Sequence, residues 1–247
     1  MKISRSFEHM EWFRRHGAAV VANVLGPEAQ LAAPVVVRRL VDRPGIAVLD
    51  LDLDGTRVIA KVFTEQNRDP AISCEREAFA MLLMKDTGLA PRLYKVDRDE
   101  NFLVSEFVFG DRLDKRLTGD NLVEWARKIG EWSARYIARQ PRRDHEIDWF
   151  DYMALYRGVI TDEVEAMARE RFAGVPVEAF ALAKHDLDPS NFIVRPDGRL
   201  VGIDYERTRF KPVGWDIIAA AWVLMDKFRD QEDDIVPALI AGWNSAE

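Results

Sequence analysis

Lys184-His185-Asp186-Leu187-Asp188-Pro189-Ser190-Asn191-Phe192-Ile193-Val194-Arg195-Pro196-Asp197-Gly198-Arg199-Leu200-Val201-Gly202-Ile203-Asp204-Tyr205-Glu206 is the stretch on which the reading of this chain turns. Two short apolar runs flank an Asp-Gly pair, the signature of a β-hairpin. With Asp197 and Gly198 as the central residues of a two-residue turn, Asn191 faces Asp204 across the hairpin. An amide oxygen and a carboxylate presented together make a hard-oxygen site suited to Mg²⁺, which takes few protein ligands and completes its shell with water and phosphates. Asp186 lies just ahead of the first strand in a polar loop, placed to act on a hydroxyl that approaches a terminal phosphate. A carboxylate such as Asp204 at the end of an apolar strand needs a reason, whereas Asp197 reads as a turn former.

Upstream, Val35-Val36-Val37 opens a β-rich stretch, Arg43-Pro44-Gly45 marks a turn, and Val48 to Leu53 alternates apolar with acidic residues. Asp54-Gly55 joins that strand to Arg57-Val58-Ile59-Ala60-Lys61-Val62-Phe63, a second hairpin. Ser73 to Leu83 is rich in helix formers and is closed by Gly88 and Pro91, so a helix is expected to pack on an antiparallel sheet. Asn101 to Phe109 reads as a strand running into Gly110-Asp111, where a connection between lobes is expected. Beyond it, Leu122, Trp125, Ile129, Trp132 and Tyr136 recur at helical steps, and the second half reads as mostly helical. Phe7, Met10, Phe13, Val20, Val24 and Leu25 give a leading helical segment. The division expected is therefore 1–33, an N-terminal lobe over 34–106 and a C-terminal lobe over 107–247. The tryptophans at 125, 132 and 222 read as core, and Trp149, Phe150 and Tyr152 as candidates to line an acceptor pocket.

The 247 residues are 48% hydrophobic and 31% charged, an ordinary globular balance that sets aside disordered and fibrous classes. A net charge of −7 argues against a general nucleic-acid binder, which needs a basic surplus to neutralise phosphates. The single cysteine, Cys74, allows neither an intramolecular disulfide nor a cysteine-based zinc site and reads as a helix residue without chemistry. Met1 to His9 lacks the apolar core of a secretory signal, and the longest apolar run, Ile217 to Met225, is too short for a membrane span. The expectation is a cytoplasmic protein, with peripheral membrane association left open.

In these motifs the sequence resembles the aminoglycoside phosphotransferase and choline kinase families and, more distantly, protein-kinase-like enzymes in general. Their catalytic loop has an Asp followed five positions later by Asn, and a second Asp opens the metal segment. By that resemblance Asp186 is the catalytic Asp, and Asn191 and Asp204 are the metal ligands. Lys61 resembles the strand lysine that grips the α- and β-phosphates, and Glu77 its ion-pair partner, although Glu75 lies two residues away. Ser105-Glu106-Phe107 resembles the hinge, where the Ser105 carbonyl and the Phe107 amide bind the adenine edge. Gly214-Trp215-Asp216 resembles the segment whose Asp braces the catalytic loop.

The resemblance covers residues 35 to 225 and implies an α+β, bilobal protein-kinase-like fold. In it, an N-terminal antiparallel sheet with one packed helix precedes a mostly helical C-terminal lobe. It implies a phosphotransferase that moves the γ-phosphoryl group of ATP, with Mg²⁺, to a hydroxyl of a small-molecule acceptor. A lipopolysaccharide-core sugar kinase, an atypical protein kinase and a pseudokinase-like nucleotide-binding module stay open beside it. Three positions depart from the family pattern. Lys184 stands where a His is usual, the loop over Val41 to Ile46 has one glycine, and Asp188 stands where kinases acting on Ser or Thr usually carry Lys.

Overall fold

The computed structural model describes residues 35–53, 55–64, 69–144, 147–154, 162, 166, 169, 170 and 174–246. The leading helical segment expected over 1–33 and Asp54 of the hairpin turn lie outside the described residues. The chain forms two compact units, one of Met1–Leu117 with Pro189–Arg207 and one of Thr118–Asp188 with Thr208–Glu247. Residues 107–117 and 189–207, read from sequence as part of the C-terminal lobe, thus group with the first unit.

The first unit is built on a five-stranded antiparallel sheet in the order β1-β2-β3-β5-β4, from β1 (Val35–Arg43), β2 (Ile46–Leu53), β3 (Thr56–Phe63), β4 (Leu93–Asp97) and β5 (Phe102–Glu106). Leu53 pairs with Thr56, so the β2–β3 loop has the two residues the Asp-Gly signal requires, and Gly55 takes the positive φ of 84°. Strand alternation sends Leu49, Leu51, Val58, Ala60, Phe102 and Val104 to one fully buried face. The other face carries Ile46, Val48, Ile59, Lys61, Leu103 and Ser105, all of which line a cavity. Val37 and Leu40 sit at the two register shifts between β1 and β2, and both are exposed. Asp50 is buried among apolar strand residues because Arg38 and Arg57 both bond its carboxylate.

Helix α1 (Pro70–Leu83) starts three residues earlier than the sequence suggested. Asp69 caps it by accepting the Ile72 N–H at 3.1 Å, and Pro70 fills the first turn, where no N–H is needed. Cys74 lies buried on this helix, and burial, followed by the charges of Glu77 and Glu75, pushes its thiol up to about 12. The stabilisation from keeping that thiol protonated is fully present below its ordinary value of 9.0 and is lost as pH climbs through 12. Native protein at pH 8 is therefore expected to resist alkylation by iodoacetamide and to react with one equivalent only after unfolding; fast native labelling would contradict this burial.

A second small sheet in the first unit has the order β10-β9-β6, from β6 (Asp111–Arg112), β9 (Phe192–Val194) and β10 (Leu200–Gly202). Its hairpin corrects the register expected from the Asp-Gly pair. Leu200 pairs with Val194 and Gly202 with Phe192, which puts Asn191 opposite Ile203 and not Asp204; Ile203 N–H donates to the Asn191 carbonyl at 2.9 Å. The loop holds three residues, Pro196, Asp197 and Gly198. Gly198 N–H bonds back to Arg195 and Gly198 adopts φ 80°, a type I turn followed by a left-handed residue, with Pro196 at its favoured position. Gly110, just before β6, has φ 149°, and a Cβ there would run into the Val194 carbonyl, so β6 reaches β9 only with glycine.

The second unit contains α2 (Leu122–Ile137), α3 (Trp149–Ala154), α4 (Trp215–Lys227) and α5 (Glu232–Asn244). It also holds a three-stranded sheet, β11-β8-β7, from β7 (Arg142–Arg143), β8 (Phe180–Ala183) and β11 (Arg209–Pro212). All five apolar positions expected on α2 are buried, and Trp132 stacks on Tyr136. Trp222 does not follow its expectation: it is 78% exposed, because α4 turns Asp216, Ala220, Ala221 and Leu224 inward and position 222 falls on the opposite side.

Helices α2 and α5 approach backbone to backbone through Gly130 and Gly242; a Cβ on either would meet a main-chain oxygen of the other helix. Gly242→Val is expected to cost about 2–3 kcal/mol by overpacking, seen as a lower urea midpoint. An unchanged midpoint would mean the two helices separate at little cost.

Candidate active site

Lys61 reaches the cavity face of β3 because its neighbours Ala60 and Val62 turn the other way. Its buried ammonium donates to Glu77 Oε2 at 2.5 Å and to Asp204 Oδ1 at 2.7 Å, and Glu206 Oε2 lies at 3.4 Å. Of the two candidate partners on α1, Glu77 is buried and pairs with Lys61, whereas Glu75 is exposed beside Arg98. Burial alone would strip the charge from Lys61; the carboxylates of Glu77, Asp204 and Glu206 outweigh it and hold the ammonium above its ordinary range. Burial pushes the Glu77 carboxyl up to about 7, with Lys61 pulling it down and Asp204 adding to the rise. Three acids around one lysine leave a local excess of negative charge that invites a further cation.

Asp204 leaves the strand with φ 62°, a left-handed conformation that carbon-branched residues avoid and Asp and Asn tolerate. The hairpin carrying it is tied, within the first unit, to the connection between α1 and β4 and to the end of β5. Gly202 N–H and the Tyr205 hydroxyl both donate to the Leu89 carbonyl, at 2.9 and 3.3 Å. Arg195 Nη2 donates to Glu106 Oε1 at 2.8 Å, while Glu106 Oε2 accepts the Arg92 N–H.

The cavity encloses about 490 Å³, within the range of small-molecule sites. Lys61, Glu77, Ser105, Phe107, Asn191 and Asp204 all line it, so six of the seven residues singled out from sequence come together in one place. Phe107 lies beneath the Arg57 guanidinium at 4.1 Å and edge-on to Phe109, and Ser105 is buried at the end of β5. Glu206 is the residue that sequence reading passed over. Its signal was there, an acid two positions after Asp204 on the same turn.

Asp186, the seventh, belongs to the second unit. Its loop follows β8 and is held by Asp216, whose two oxygens accept the backbone N–H groups of Lys184 and His185 at 3.0 and 2.9 Å. Burial raises the Asp216 carboxyl, and those two amides and the Lys184 charge pull it back down. His185 has φ 73° and stacks on Trp215. Asp188 pairs with Lys227 at 2.8 Å. Phe150 and Tyr152, candidates for an acceptor pocket, are buried, and Tyr152 packs against Trp149, Phe180 and Trp215 while accepting a bond from Lys211 Nζ at 2.8 Å.

Neither a protein-family model nor a curated protein sequence matches the chain. Solved structures do. Choline kinase LicA from Streptococcus pneumoniae is 18% identical, with 91% of this chain and 79% of that one covered at a TM-score of 0.56. A structure of LicA in complex with AMP gives 19%, 92%, 78% and 0.54 for the same quantities. An aminoglycoside phosphotransferase from Alicyclobacillus acidocaldarius is 16% identical, with 90% of this chain and 80% of that one covered at 0.56. The two compact units, the five-stranded sheet with its packed helix and these likenesses agree: the chain has the bilobal protein-kinase-like fold of the choline kinases and aminoglycoside phosphotransferases.

Proposed function

We propose that the chain is a phosphotransferase that moves the γ-phosphoryl group of Mg-ATP to a hydroxyl of a small-molecule acceptor. The observation that carries this reading is Lys61 set among Glu77, Asp204 and Glu206 in the wall of a nucleotide-sized cavity. In the reading, nucleotide phosphates replace Asp204 as a partner of Lys61, and Glu77 keeps the ammonium in place. Ser105 and Phe107 offer their backbone carbonyl and amide to the base. The AMP-bound structure of LicA, which shares the fold, supports a nucleotide in such a cavity.

The donor set suits a hard divalent cation. Carboxylate oxygens of Glu77, Asp204 and Glu206 lie within 4.8 Å of one another, and Asn191 lines the same cavity as Glu77 and Asp204. Asn191 and Asp204 would hold Mg²⁺, which supplies neutralisation of phosphate charge when bound. Asp186 accepts the proton of the acceptor hydroxyl as the new O–P bond forms, and the β–γ bridging oxygen leaves with its electron pair on ADP. Among the described residues no helix is long and apolar enough to cross a membrane.

The test is transfer of labelled γ-phosphate from ATP with Mg²⁺ into a cell extract separated into small-molecule, lipid and protein fractions. Label in the small-molecule fraction is the expected result. Label confined to lipid would point to a lipopolysaccharide-type acceptor, and nucleotide binding without any transfer would sink the enzyme reading.

A further inference from the structure

Lys184 is a buried cation that the chemistry above leaves without a task. We propose that Lys184 is the positioning residue of Asp186: its ammonium pins the Asp186 peptide carbonyl and so fixes the direction in which the Asp186 carboxylate is presented. The proposal rests on the role given to Asp186 above.

The Lys184 side chain is fully buried in the second unit, among the largest side chains with no exposure. Its Nζ donates to the Asp186 carbonyl at 2.8 Å, while its own backbone N–H donates to Asp216 Oδ2 at 3.0 Å. The residue between, His185, adopts the left-handed φ of 73°, so the backbone reverses locally and the lysine stem reaches forward across the reversal. One side chain thereby links the start of the loop to the residue that carries the reactive carboxylate. The Lys184 ammonium is among the causes that pull the buried Asp216 carboxyl back down, after burial raises it and the His185 and Lys184 amides lower it. Burying an ammonium is unfavourable unless it is bonded and compensated, so an apolar residue of equal length would serve packing better. Holding the peptide plane of Asp186 is the task that an apolar residue cannot perform. A reacting group held by a second, rigid layer stays within the fraction of an ångström that catalysis demands.

The experiment compares the full chain with Lys184→Met, which keeps length and loses the cation, and Lys184→Arg, which keeps a cationic donor. For Lys184→Met, kcat is expected to fall about 100-fold, the size of effect that a small misplacement causes. KM for ATP should stay within about twofold, because the nucleotide contacts assigned above lie in the other unit. Lys184→Arg should recover about tenfold of the loss. Hydrogen exchange of the Lys184–Asp188 amides should accelerate in Lys184→Met while peptides from β3 and α1 stay unchanged. Retained kcat in Lys184→Met, or a joint loss of kcat, ATP affinity and protection throughout the chain, would mark Lys184 as core filling and overturn the proposal. If the native chain transfers no phosphate, the proposed function fails by itself. The exchange arm then decides alone: local loss of protection upholds the brace, and unchanged exchange overturns it.

Discussion

Asp204→Asn is expected to lower phosphoryl transfer by about a thousandfold, the scale on which one preorganised electrostatic group acts. Two losses combine. On the proposed function the cation would lose its anionic anchor, and Lys61 loses one of the three acids around it. The fold should survive, because Asn is the residue other than glycine that best tolerates the left-handed conformation at 204, and the Asp204 side chain is a third exposed. Steady-state kinetics across a Mg²⁺ titration, with thermal unfolding run alongside, checks this. Activity within tenfold of native at saturating Mg²⁺ would remove Asp204 from the metal site and put Glu206, its neighbour on the same turn, first in line.

Asp186→Asn tests the other half of the chemistry. On the proposed function Asp186 is the general base, whose loss costs about 10²–10⁴-fold, and the fall should lie in kcat with KM for ATP little changed. The loop should keep its shape, since Lys184 bonds the Asp186 backbone carbonyl and Asp216 holds the amides of Lys184 and His185. The Asn substitution keeps the oxygen that faces the Asp188 amide at 3.5 Å. A native-like kcat would mean that the acceptor hydroxyl loses its proton elsewhere. Raised ATP KM with unchanged kcat would make Asp186 a binding group.

Much of this was readable because local signals and global fold agree. Asp-Gly between alternating strands gave the β2–β3 hairpin, and Lys61 could be placed on one face of β3 by alternation alone. The three- and four-residue steps from Leu122 to Tyr136 gave the buried side of α2. The misreadings have physical causes. The turn before Leu200 looked like two residues because Asp197-Gly198 is the strongest pair there, but Pro196 favours the first central position of a type I turn and lengthens the loop to three. Register then slips by one, and Asn191 and Asp204 share a cavity through the left-handed turn at 204 rather than by facing each other. Trp222 looked like core because α4 is apolar almost all round, and which side of such a helix is covered depends on neighbours that no periodicity records. The Arg195–Glu106 link is a tertiary fact: 89 positions separate that pair, and only the folded hairpin brings it together.

The first unit is not one continuous piece of chain, since Pro189–Arg207 returns to it after the second unit has begun. During synthesis the five-stranded sheet and helix α1 emerge early, yet the hairpin with Asn191, Asp204 and Glu206 follows only after Thr118–Asp188 has been made. A nascent chain arrested at Leu117 therefore carries Lys61 and Glu77 without the two other acids that surround the ammonium. The acidic surround of Lys61 is therefore completed late, only once the segment ending at Arg207 has joined the sheet and helix made before it.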